Sequence, residues 1–95
     1  MPATASPPVG MSQRFRLADG VSLRLEPFGA LAYDFRTRRL SFLKDPLLVE
    51  LVRELADHPS VEAACDAVNV PMARRVAFAQ ALSSLAASGM IEPRE

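Results

Sequence analysis

The chain carries one cysteine, one histidine and no tryptophan in 95 residues. A single Cys65 excludes an intrachain disulfide and any zinc site built on several cysteines. In a helical stretch among alanines it reads as a small buried hydrophobe rather than a nucleophile. His58 stands beside Pro59 at a helix end, where it is expected to meet the last carbonyls of that helix. Without a second His or Cys, a zinc constellation lacks ligands. Ser83-Ser84 has no histidine on its helix face, and the four glycines form no phosphate-cradling loop. No apolar run reaches the roughly 20 residues that span a bilayer. The start, MPATASPPVGMSQ, has neither the basic region nor the long apolar core of a signal peptide. The formal charge is zero, which removes the electrostatic drive for non-specific nucleic-acid binding. A non-enzymatic, cytoplasmic protein is the expectation, with no catalytic residue, metal or cofactor of its own and no membrane contact.

What is present is one small domain with a thin stability margin. Residues Met1 to Ser12 are Pro, Ala, Ser and Gly without periodicity, which predicts a disordered arm; Met11 could serve as an alternative start. The remainder, 13–95, reads as a single domain. Arg14–Leu17 alternates and predicts a short strand or an arm packed on the domain. Asp19-Gly20 marks a turn. Val21, Leu23 and Leu25 alternate with Ser22, Arg24 and Glu26, the period of a strand with one buried face. Pro27 lacks an N–H and stops that ladder, and Gly29 permits the reversal. A second strand, Ala30–Phe35, sets Leu31, Tyr33 and Phe35 on one face. After the polar turn Arg36–Arg39 comes a third strand, Leu40–Leu43, apolar on both faces. An exposed edge usually carries blunting charges inside the strand; here Arg39 and Lys44 only flank it.

From Asp45 the pattern is helical. Asp45 suits an N-cap and Pro46 the first helical position. Leu48, Leu51, Val52 and Leu55 form one stripe of a helix ending near Asp57. Ser60 caps a short helix, Val61–Val68. Asn69-Val70-Pro71 breaks the chain before a third helix, Met72–Ser88, with Phe78, Ala81, Leu82 and Leu85 on one face. Gly89 supplies a left-handed stop, and Met90-Ile91 should fold back onto the core. The fold class is α+β: a three-stranded antiparallel sheet followed by a three-helix bundle resembling a winged helix-turn-helix.

The charge is uneven. Val21–Asp45 holds five bases against three acids, while Glu50, Glu54, Asp57, Glu62 and Asp66 make the first two helices acidic. A DNA-binding winged helix would need a basic recognition helix. No further base follows Arg74 and Arg75 in that helix, whose other polar residues are Gln80 and serines, so a transcriptional regulator is the second reading. A third is a dimerisation module, since an open apolar edge invites self-pairing into a homodimer. Peptide binding is better supplied. If Leu40–Leu43 is an open edge, a peptide could add as a strand between it and the third helix. Phe42, Leu43 and Phe78 would line the groove, with Arg74 and Arg75 facing acidic peptide residues.

The strings EPFGALAYDFRTRRLSFLKDPLLVELV and ASGMI resemble the small peptide chaperones of mycofactocin biosynthesis over about Val21–Ile91. That family is related to the pyrroloquinoline-quinone peptide chaperones and other recognition elements of ribosomally made, modified peptides. The resemblance implies a protein without an active site that binds the leader of a precursor peptide as an added strand. It also implies a partner, a radical S-adenosylmethionine maturase, which owns the iron–sulfur clusters and the chemistry on the precursor's C-terminal Val-Tyr pair. Carried onto this chain, the leader contacts fall on Leu40, Ser41, Phe42 and Leu43 of the strand and on Arg74, Arg75 and Phe78 of the helix.

Overall fold

Between Val21 and Leu43 the chain reverses twice, and both reversals are written into its residues. Glu26 pairs with Gly29 across the two-residue turn Pro27-Phe28. Gly29 sits at φ +145°, and a Cβ there would lie 2.0 Å from the Leu43 carbonyl oxygen, so only glycine fits. At the second reversal the Arg38 N–H donates to the Asp34 carbonyl at 2.7 Å. Arg38 itself takes φ +62°. The result, in a computed structural model that describes residues 10–94, is an antiparallel sheet in the order β2 (Val21–Glu26), β3 (Gly29–Asp34), β4 (Arg39–Leu43). The expected disordered arm, Met1–Ser12, lies outside the described residues except for Gly10, Met11 and Ser12.

The face that the sheet buries is the one with small side chains. Ala30, Ala32 and Leu43 are sealed against the helices, while Leu31 and Tyr33 are half-buried and Phe35 is exposed. Helices can approach β3 closely where it carries only methyl groups, and Leu48, Leu51 and Val52 fill that space. The expected buried row of β2 holds for half-buried Val21 and Leu23 but not for exposed Leu25, which lies at the hairpin end.

Helix α1 (Pro46–Glu54) opens as the sequence predicts: Asp45 Oδ1 accepts from the Leu47 N–H at 2.9 Å and Pro46 takes the first position. It tightens into a 3₁₀ turn at Leu55–Asp57. Leu48, Leu51, Val52 and Leu55 are buried, joined by Val49. Helix α2 (Val61–Ala67) is capped by Ser60 Oγ on the Ala63 N–H. Two further orphan N–H groups, of Val61 and Glu62, donate to the carbonyls of Gln13 and Met11. Asn69, at φ +61°, ends α2. A 3₁₀ turn, Met72–Arg74, leads into α3 (Arg75–Ala87). Gly89, at φ +81°, closes it, with the Met90 N–H on the Leu85 carbonyl and the Gly89 N–H on that of Ala86.

The two short ends of the domain meet. β1 (Phe15–Leu17) pairs antiparallel with β5 (Ile91–Pro93) as a second, two-stranded sheet. The Arg16 guanidinium bonds Glu92, and the Arg94 N–H donates to the Arg14 carbonyl. Met90 and Ile91 are buried, as expected of the fold-back. The architecture is α+β, with a three-stranded antiparallel sheet, three helices and this added strand pair.

Candidate functional site

β4 is an edge strand: β3 lies on one side, and among the described residues no strand pairs with the other. The register decides which of its backbone groups are free. The Phe35 N–H donates to Gly20 on the β2 side of β3. In an antiparallel strand both polar groups of a residue point the same way and alternate between neighbours. Leu31 and Tyr33 therefore face β2, and Ala30, Ala32 and Asp34 face β4. Opposite these stand Leu43, Ser41 and Arg39, which are consumed by the ladder. The N–H and C=O groups of Leu40 and Phe42 are left pointing outward.

Beside this edge runs a groove of about 510 Å³ between β4 and α3. Leu40, Ser41, Phe42 and Leu43 form one wall; Ala81, Ser84 and Leu85 of α3, its C-cap Ser88 and Leu48 of α1 form the rest. Small side chains at 81, 84 and 88 recur at helical spacing and leave the space between α3 and β4 unfilled. Ser84 and Ser88 escaped the sequence reading because a serine on a helix looks like ordinary wet surface. The signal was there in the small-residue row beside the Leu82–Leu85 core stripe.

The three helix residues expected to serve the peptide stand elsewhere. Phe78 is 5% exposed, a core side chain outside the groove lining. The Arg74 guanidinium lies 4.8 Å over its ring and also bonds Asp45, just past the end of β4. Arg75 is held by Asp66 at 2.8 Å and by the Val70 carbonyl at 3.0 Å. The structure thus gathers Leu40–Leu43 into the groove and places the two arginines toward the α2–α3 turn, each with an acidic partner.

Other chemical groups are spoken for. Burial pushes the Cys65 thiol up, only partly opposed by the Arg75 charge, so it is a poor nucleophile. His58 Nε2 lies 3.0 Å from Glu54 Oε1, so its ring meets a side chain of helix α1 rather than the expected terminal carbonyls. The i,i+4 spacing brings the two side chains onto one face. The Ser83 hydroxyl donates to the Ala79 carbonyl. Among the described residues no cluster of His, Cys, Asp or Glu could hold a metal ion, and no helix is long and apolar enough to cross a membrane.

Comparison with known proteins shows the family. Residues 14–92 match the model of the peptide chaperone MftB family. The chain is 49% identical over 81 residues to a peptide chaperone MftB of Mycobacterium ulcerans, covering 85% of this chain and 74% of the relative. A Mycobacterium tuberculosis peptide chaperone MftB is 44% identical over the same shares. One of Mycolicibacterium smegmatis is 46% identical over 79 residues, 83% of this chain and 78% of that protein. No solved structure matches the chain. An open strand edge, an apolar groove beside it and close identity along nearly the whole domain lead to one assignment: the chain belongs to the peptide chaperone MftB family.

Proposed function

We propose that this protein binds the leader of a ribosomally made precursor peptide as a fourth strand on β4 and presents it to a radical S-adenosylmethionine maturase in mycofactocin biosynthesis. The observation that carries the reading is the outward pair of N–H and C=O groups at Leu40 and Phe42, lying directly over an apolar groove. Main-chain bonds to these groups give affinity, and alternate peptide side chains entering the groove give selectivity. Ser41 and Leu43 point their side chains toward the helices and Leu40 and Phe42 away from them, so an added strand meets apolar contacts on both sides. Arg74, Arg75 and Phe78 belong to the second tier of this site. The two arginines reach an acidic leader residue by exchanging their present partners, and Phe78 supports Arg74 from beneath.

The magnitudes are consistent. Two or three apolar anchors contribute about 5–9 kcal/mol gross, and ordering a flexible peptide costs about 2–5 kcal/mol. A micromolar complex, near −8 kcal/mol, therefore needs the backbone ladder as well as the groove. We read α2, the turn to α3, α3 and the final strand as a winged-helix-like arrangement used for peptide rather than DNA. Beyond Arg74 and Arg75 the third helix carries no base to meet phosphates. The chemistry resides in the maturase, and the chaperone acts non-catalytically in the cytoplasm with no cofactor of its own.

Calorimetric titration with the precursor leader is the direct test. Saturation near one peptide per chain, changing little with salt, is the expected result. Absence of heat with both leader and full precursor would sink the proposal, and a steep loss of affinity with salt would point instead to phosphate-type contacts.

A further inference from the structure

The sheet has a second side that the groove does not use. The register sets Arg24, Leu31 and Phe42 in one row and Ser22, Tyr33 and Leu40 in the next, on the face opposite buried Ala30, Ala32 and Leu43. Phe28 and Phe35 close the two hairpin ends. The Phe28 and Phe42 rings meet edge-on with centroids 6.2 Å apart, and the Tyr33 and Phe35 rings do so at 4.9 Å. Phe35 is 65% exposed, Phe42 63%, Leu40 56% and Phe28 42%. A contiguous aromatic face of this kind on a small domain marks an interaction surface.

Its rim selects the kind of partner. Arg24 lies on the face, exposed Lys44 follows the end of β4 and exposed Arg38 stands in the hairpin beside Phe35, whereas Arg39, opposite Asp34, belongs to the other side. Arg38 and Lys44 have no ion-pair partner among the described residues. Among the described residues the one acid on the face is Glu26, held by Arg24 at 2.9 Å; Asp34 is buried on the other side under Arg36. A second copy docked face to face would bring like charges together. A different protein with an apolar centre and an acidic rim would neutralise them. Leu40 and Phe42 border both this face and the groove, so such a protein would sit against the edge of the bound leader strand.

We propose that the outer face of the sheet docks the maturase that receives the peptide, through an apolar patch on that enzyme ringed by acidic side chains. This rests on the peptide-chaperone reading and adds the surface of handover to it. Phe28 and Phe35 lie outside the groove lining, so the two surfaces separate by substitution. The test measures the affinity of the purified maturase, without peptide, for the wild-type chain, Phe35→Glu and Arg38→Glu, with leader titration on the same three proteins. Circular dichroism checks the fold; both side chains are exposed.

Expected is a loss of maturase affinity of about ten-fold or more for Phe35→Glu. A smaller loss with a flatter salt dependence is expected for Arg38→Glu, and leader affinity should stay within about two-fold in both. Unchanged maturase affinity in both variants overturns the docking face while leaving the groove standing. A wild-type dimer in sedimentation that Phe35→Glu dissolves assigns the face to a second copy and also overturns it. If no leader binds but Phe35→Glu still weakens maturase binding, the groove reading falls and the docking face is supported.

Discussion

Asp34 shows how one side chain serves the site without touching it. It is 1% exposed, at the end of β3 where the chain turns toward β4. Burial pushes its carboxyl up, but the Arg36 N–H and guanidinium and the Thr37 N–H together outweigh this, so its pKa is lowered. A depressed carboxylate stabilises the fold above its unfolded pKa, and that stabilisation is lost as pH falls through the folded value. Asp34→Asn should therefore be less stable than wild type at pH 7, with the two denaturation midpoints converging in acid. A gap that stays constant down to pH 3 would remove the carboxylate from the account. Gly29 is the second such residue. At φ +145°, with the Leu43 carbonyl where a Cβ would go, Gly29→Ala should cost at least about 1–3 kcal/mol in urea unfolding. It should also loosen the end of β4 that faces the groove.

At the scale of the element, β4 is an edge with a defined polarity. Proline removes one N–H, and the register says which losses matter. Phe42→Pro deletes an outward donor, so it should abolish leader binding while the circular dichroism spectrum stays near wild type. Ser41→Pro deletes a bond of the β3–β4 ladder and should destabilise the sheet itself. Equal leader affinity in a folded Phe42→Pro protein would mean that the peptide does not add to this edge. The strand and its flanking turns were legible in the sequence because period-two alternation and the Pro27–Gly29 reversal are local signals. That β4 is the edge was not, because strand order depends on which strands meet in space.

At the scale of the molecule, the fold is held shut by its ends. β1 reaches β5 across nearly the whole chain, Phe15 opposite Pro93 and Leu17 opposite Ile91. Arg94 donates to the carbonyls of Phe15 and His58, tying this pair to the turn after α1. Removing residues 90–94 should cost the domain its cooperative unfolding transition. Ile91→Ala, a milder cut at a buried position, should cost about 2–5 kcal/mol. Typical domains hold about 5–15 kcal/mol in all, so this would be a large share of the total. Thermal unfolding followed by circular dichroism reads both effects. Three-residue strands such as β1 and β5 carry too little pattern to announce their partner, which is why Arg14–Leu17 read only as a strand or a packed arm.

The sequence alone determined the helix caps at Asp45, Ser60 and Gly89, the strand pattern of Val21–Leu43 and the family resemblance, all of which rest on neighbours within a few residues. It also led to the expectation of a protein without a catalytic set. The tertiary structure decided which surfaces those elements leave open. It drew Phe78 into the core and engaged Arg74 and Arg75 with Asp45 and Asp66. It lined the groove with Ala81, Ser84 and Ser88 and turned the aromatic side of the sheet outward because the alanine side packs more closely. Helix propensity and strand alternation are local energies, whereas an open edge or a spent charge depends on where distant residues come to rest.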